Sequence, residues 1–289
     1  MEAGYDPDKI DKTHQGEMQL YTPTDGLTIE NTRFEFGGRA GLIDLAHQEH
    51  RNLTIRNCHF KGLGQNENWG ARLRDMTEMF TVDRVLCENI EKEHGFYTFI
   101  MGSARIRGVA GRNIGSQLWQ NRPSYDPLPV GEGETIVMED IEAHDCGLPK
   151  GRRPGFAVSW FRGSRQSLVL RRVLLVNKSQ GVWHQKAYNS VGGLLVEEHA
   201  YVDIGRLEID YLNPSNPSAQ FRNVPHLEVR GGYIREGKLA IYDGGDVRIA
   251  RMKGDFVIVH KVGSSVIARV KPTKGGSNPG YTFNPIHHD

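Results

Sequence analysis

Eight side chains in four short segments combine the residue types that bind and process sugars: Arg72, Arg74, Tyr97, Gln117, Trp119, Asn121, Trp183 and Gln185. Each lies at an even offset from a glycine that opens its segment (Gly70, Gly95, Gly115 and Gly181), so an extended strand turns all of them to one side. If the segments lie side by side, about 4.8 Å apart, flat rings interleave with guanidiniums and amides. Apolar sugar faces stack on such rings, and sugar hydroxyls and carboxylates take hydrogen bonds from the polar groups. His94, Tyr97 and His184 add groups able to move a proton, and Arg72 could neutralise a uronate. These four are the candidate catalytic residues for a β-elimination. Lys186 and Tyr188 lie on the same stretch, and Asp126 and Asp145 in flanking loops. Hydrolysis needs two carboxylates about 5–9 Å apart, and this face is poor in them. The same aromatics suit a core or a subunit interface equally well, and the chain order leaves all three roles open.

Other chemistries find little in the sequence. His47-x-x-His50 and His287-His288 are the close histidine pairs, and neither has a third ligand nearby, so no metal is expected. Cys58, Cys87 and Cys146 are widely spaced and odd in number, which offers no disulfide framework. No glycine-rich stretch joins a strand to a helix, so no phosphate loop and no cofactor are expected.

The elements that must position these side chains recur along the chain. Leu27-Thr-Ile-Glu-Asn31, Leu53-Thr-Ile-Arg-Asn57, Phe80-Thr-Val-Asp83, Leu227-Glu-Val-Arg230 and Asp246-Val-Arg-Ile249 each alternate in the manner of a half-buried strand. A second strand follows most of them, opened by Gly41, Gly70, Gly95, Gly115, Gly155, Gly181, Gly205 or Gly237, at intervals of 20 to 40 residues. One such two-strand unit cannot bury its apolar face alone, but stacked units form a continuous core. The 34 glycines among 289 residues, roughly 12% against a usual share near 7%, suit a chain of many corners. Convincing amphipathic helices are missing; a stretch such as Glu17–Leu20 could form a short helical turn. The pattern predicts an all-β solenoid, a single-stranded right-handed parallel β-helix of about nine to ten coils. A β-sandwich is the alternative, but it lacks a recurring unit of this length. Residues 1–26 read as an N-terminal cap or arm, 27–273 as the helix domain and 274–289 as a C-terminal tail.

The LTIENTRF and LTIRNCHF units, with Glu93-HGFYTFIMGSARIRGVAGRNIGSQLWQNRP, resemble the coils of the right-handed parallel β-helix, or pectin-lyase-like, superfamily over roughly residues 27–270. That resemblance implies one of several roles: polysaccharide lyase, hydrolase or epimerase, or a spike or surface protein of a tailed phage. The catalytic signatures of the enzymes do not carry over. There is no Asp-Asp pair, Glu93-His94-Gly95 matches only part of a Gly-His-Gly, and Val182-Trp183-His184-Gln185 lacks the aspartate of Trp-Ile-Asp-His. Arg153-Pro154-Gly155 lacks the second arginine of the lyase motif, and Asp-Pro-His-Glu is absent.

Charge and loops narrow the partners. Lys plus Arg number 36 against 35 for Asp plus Glu, a net charge of +1 that argues against a dedicated nucleic-acid binder. No apolar run approaches the ~18–20 residues of a membrane span, and the N-terminal stretch shows no secretory pattern. The Pro/Gly-rich loops 121–134, 146–154 and 213–225 border the aromatic face, and Lys150, Arg152 and Arg153 suit an acidic polymer or a neighbouring subunit. The expectation is a virion-surface structural protein (a head decoration, spike or fibre component), a homotrimer contacting other virion proteins or a cell-surface polysaccharide. The alternative is an extracellular or periplasmic polysaccharide lyase or hydrolase.

Overall fold

The computed structural model describes residues 16–45, 49–64, 67–121, 133–147, 166–177, 193–211, 217–261, 266–271 and 281–283. These residues are all-β, with no helix among them. Glu17–Leu20, read above as a possible helical turn, belongs to the strand Gly16–Leu20. All strand pairings among the described residues are parallel, each joining segments one repeat apart in the chain. A sandwich of antiparallel hairpins is therefore not the fold of these residues. Pairing extends past both expected domain boundaries: Gly16–Leu20 joins Ala40–Asp44, and Tyr281–Phe283 joins Ile258–His260.

The register explains how short strands build a core. Ile29, Ile55, Val82, Ile106, Met138, Leu170, Ile204, Val229 and Ile249 fall in a single file, each opposite the next. All nine are buried, and each such side chain stabilises the fold by roughly 1.5–3 kcal/mol relative to exposure. On the facing side, Phe34 stacks on Phe60 at 4.8 Å and Phe96 on Trp119 at 4.4 Å, with Phe60 edge-on to Phe96 at 5.8 Å.

Two kinds of corner turn the chain. Asn31, Asn57, Arg84, Gly108 and Asp140 occupy equivalent positions and all have positive φ, between 50° and 62°. Asparagine, aspartate and glycine tolerate that conformation best. The Asn57 amide donates to Asn31 Oδ1 at 3.1 Å, and Arg84 Nε donates to Asn57 Oδ1 at 2.6 Å, which ties successive corners together. Gly41, Gly70 and Gly95 make the other corner, and close approach is what requires them. A Cβ at Gly70 would lie 2.6 Å from the Gly95 carbonyl oxygen, and one at Gly95 2.7 Å from that of Leu118.

A third corner carries a buried polar seam. Gln166 Nε2 donates to the Gly102 carbonyl at 2.6 Å, and the Gln166 carbonyl accepts from the Ala200 N–H at 3.3 Å and His199 Nδ1 at 3.0 Å. Burial holds the His199 imidazole down to a pKa of about 4, although its hydrogen bond to Gln166 favours the charged form. A depressed histidine contributes stability above its unfolded pKa near 6.5 and loses it as pH falls toward the folded value. The protein is expected to lose about 3 kcal/mol between pH 7 and pH 4 from this group alone. His199→Asn keeps a donor for the Gln166 carbonyl and should flatten that part of a urea-denaturation profile. An unchanged profile would exclude His199 as the source.

Candidate functional site

Four strands, Ala40–Asp44, Trp69–Met76, His94–Ile100 and Trp119–Asn121, run side by side and carry the expected site. Leu42, Ala71, Phe96 and Trp119 align and face the core, as do Leu73, Thr98 and Asn121 one step on. Ile43, Arg72, Tyr97 and Gln120 align on the opposite side, and so do Ala40, Trp69 and His94.

That alignment corrects the expected register at two residues. Trp119 and Asn121 do not join the outer face. Trp119 is fully buried against Phe96, and its Nε1 donates to Thr98 Oγ1 at 3.0 Å. Asn121 Oδ1 accepts from the Thr98 hydroxyl at 3.0 Å and the Ile100 N–H at 2.8 Å. The physical reason lies at Gly115, which is not the counterpart of Gly95. Phe96 pairs with Trp119, so Leu118 stands opposite Gly95, three residues after Gly115. Gly115 serves another contact, where a Cβ would sit 2.0 Å from the Glu91 carbonyl oxygen. An odd shift exchanges the two faces of a strand. Gln117 keeps its place opposite His94, and the outward residue of its strand is Gln120.

Arg72, Arg74, Tyr97 and His94 are brought together, with partners that sequence reasoning missed. Arg39 and Arg72 both place their guanidinium carbons over the Trp69 ring, at 4.9 and 4.8 Å. Arg74 lies over Phe99 at 5.4 Å. His94 stacks on Tyr97 with centroids 5.4 Å apart, and Tyr97 meets Phe99 edge-on at 5.1 Å and Trp69 at 6.3 Å. Trp69 sits one residue before its glycine, outside the even-offset rule, so a rule anchored on the glycine passed over it.

This outer layer is largely buried. Trp69 is 6% exposed, Arg72 9%, His94 3% and Gln120 1%. Burial without hydrogen bonds costs roughly 1–3 kcal/mol for each polar group. Even so, Trp69 Nε1, Arg72 Nε and both ends of the Gln120 amide have no hydrogen-bond partner among the described residues. Arg72 forms no ion pair among the described residues. Glu93 Oε2 lies 4.0 Å from His94 Nε2.

The remaining candidates resolve separately. Trp183, His184, Gln185, Lys186 and Tyr188 lie outside the described residues, as do Asp126, Lys150, Arg152 and Arg153. Asp145 turns a corner at φ 52°. His50 is buried between Thr24, whose Oγ1 lies 2.9 Å from its Nδ1, and Asp44, whose Oδ1 lies 3.3 Å from its Nε2. That arrangement orders the interior of the first strands; His47 and His287-His288 are outside the described residues. No group of three or more potential ligands fit to hold a metal ion occurs among the described residues. Cys58, Cys87 and Cys146 are buried, and burial pushes Cys146 up to about 12, far from a reactive thiolate. Comparison with family models, curated proteins and solved structures finds no match for the chain.

Proposed function

We propose that the parallel ladders wind into a right-handed β-helix of about nine to ten coils, of the pectin-lyase-like kind. We further propose that the chain is a structural, glycan-binding protein of a virion surface, assembled as a homotrimer. Right-handed winding is the near-universal hand of parallel crossovers, and one apolar file of nine residues supports stacked coils.

Glycan binding rests on one observation: the unpartnered donors and acceptor of Arg72, Trp69 and Gln120 lie within a layer of aromatic rings. These groups are buried, so a ligand reaches them only when the layer opens, and a sugar is the ligand class that answers both needs. Each hydroxyl donates and accepts, so it pairs with the Arg72 and Trp69 donors and with either end of the Gln120 amide. Its apolar face stacks on Trp69 or Tyr97. Among the described residues the outer layer is built of cations, rings and amides, which favours recognition over the paired carboxylates of hydrolysis. Absence of the superfamily's catalytic signatures points the same way and supports the structural role.

A glycan array spanning neutral and uronate-containing polysaccharides tests the binding. Wild type should retain at least one glycan class, and Arg72→Gln or Trp69→Phe should weaken it at least tenfold, the effect of one lost charge-assisted or neutral hydrogen bond in a dry site. Retention by the variants equal to wild type would place the sugar elsewhere, and an array without signal would remove the binding reading. Mass photometry should show a particle three times the chain mass; a monomer would contradict the assembly.

A polysaccharide lyase is the second reading, favoured by the His94–Tyr97 stack beside Arg72, a base and a cation within one layer. Release of unsaturated sugar ends by the purified protein would establish it.

A further inference from the structure

A second concavity lies far along the chain from the aromatic layer. It is a cavity of about 480 Å³ whose floor is Gly231 and Gly232 and whose walls include Arg206, Arg230, Arg251 and Lys253. The register shows how it arises. Leu207 pairs with Gly232, and Gly232 with Met252, so Arg206 and Gly231, each just before its strand, align with Arg251 inside the strand Asp246–Lys261. The middle segment has no side chain where its two neighbours each carry an arginine, which leaves a gap beside them. Gly232 is required by its φ of 138° and by the Leu207 carbonyl oxygen, which a Cβ would approach to 1.9 Å. Gly231 is under no such demand: its φ is ordinary, and a Cβ would meet Arg251 Cβ and the Arg251 carbonyl oxygen at 3.6 Å. A side chain fits there, and the gap is a property of this sequence.

The cations are aimed by their partners. Arg206 donates to Glu208 Oε1 from Nε at 2.9 Å and from its terminal nitrogen at 2.6 Å. Arg230 donates to Asp203 Oδ2 at 2.8 Å. Each guanidinium has five N–H donors, so both retain donors after these bonds. Arg251 Nε donates to the Arg230 carbonyl at 3.2 Å, and neither Arg251 nor Lys253 pairs with a carboxylate among the described residues. Tyr233, paired with Glu208 and Lys253 across the strands, adds a hydroxyl that burial keeps protonated.

We propose that this cavity binds a tetrahedral oxyanion, a sulfate or phosphate group, through Arg206, Arg230, Arg251 and Lys253. Donors arriving from three successive segments of the chain suit four tetrahedral oxygens better than one planar carboxylate. The site is independent of the aromatic layer and stands whether or not that layer binds sugar.

Calorimetric titration of the full chain with inorganic sulfate and inorganic phosphate tests it, using two variants. Gly231→Leu fills the floor without a backbone collision and should abolish binding, while Arg251→Gln should weaken it about tenfold. Circular dichroism melts confirm that each variant is folded. Dextran sulfate, against uncharged dextran, distinguishes a polymer-borne ester from a free ion: tighter binding of the sulfated polymer, lost in Gly231→Leu, assigns the site to a sulfated chain. Wild type that takes up neither ion nor dextran sulfate overturns the proposal, as does binding undiminished in folded Gly231→Leu.

Discussion

Gly254→Ala is expected to cost about 4 kcal/mol and to lower the melting temperature by about 10 °C, because two penalties coincide there. The residue has φ 125°, a conformation side-chain-bearing residues rarely adopt, and its Cβ would lie 1.7 Å from the Ile234 carbonyl oxygen of the neighbouring strand. That oxygen lies where the pairing of Gly232–Tyr242 with Asp246–Lys261 shifts register, between Tyr233 and Glu236, and its strand is held on the other side by Ile209 opposite Ile234. Gly26→Ala is the control. It too has positive φ, 72°, but nothing lies within 4 Å of its Cβ, so only conformational strain of about 1 kcal/mol remains. Thermal melts of the two variants separate collision from strain. Equal melting temperatures would mean that a Gly254 Cβ does not meet the Ile234 carbonyl oxygen.

Trp119→Ala is expected to cost about 3–5 kcal/mol, the range for deleting a large buried aromatic. The loss has a packing part, the stack on Phe96 at 4.4 Å and the tilted contact with Phe80 at 6.4 Å. It also has a polar part, since the Thr98 hydroxyl loses the indole donor while still serving Asn121. Trp119→Phe keeps an aromatic ring but loses the donor and part of the indole volume, and about 1–3 kcal/mol is expected. Urea denaturation of both variants measures the split. A Trp119→Ala protein as stable as wild type would return this residue to the surface, where the glycine-based register had placed it.

Much of the fold is legible in the chain because its cause is local. Leu27-Thr-Ile-Glu-Asn31 and Leu53-Thr-Ile-Arg-Asn57 show both the alternating strand and the asparagine corner, and Ile29 and Ile55 do meet in register. Glycine spacing was the weaker guide, because glycines answer different demands. Gly70 and Gly95 yield to the carbonyl of the next strand, whereas Gly115 yields to Glu91 at another place. Counting from Gly115 moved Trp119 and Asn121 to the wrong side. Side-chain volume carried a truer signal: Ala71 is the small residue between Leu42 and Phe96 in the inward file, and Trp119 extends that file.

Membership of the outer layer was only partly legible. Arg72, Arg74 and Tyr97 stand at even offsets from their glycines, whereas His94 and Trp69, the ring both Arg39 and Arg72 cover, each precede a glycine and fall outside that pattern. Burial of the layer has no local signature. The anion cavity was likewise hidden, since Arg206, Gly231 and Arg251 are separated by 20 residues or more and meet only through the register.

A crystal structure of the protein with a glycan retained on the array would bear most directly on the proposed recognition. The expected result is a sugar ring stacked on Trp69 or Tyr97, with its oxygens within hydrogen-bond distance of Arg72 Nε and the Gln120 amide. A sugar bound at any other surface, with those groups still unpaired, would contradict it.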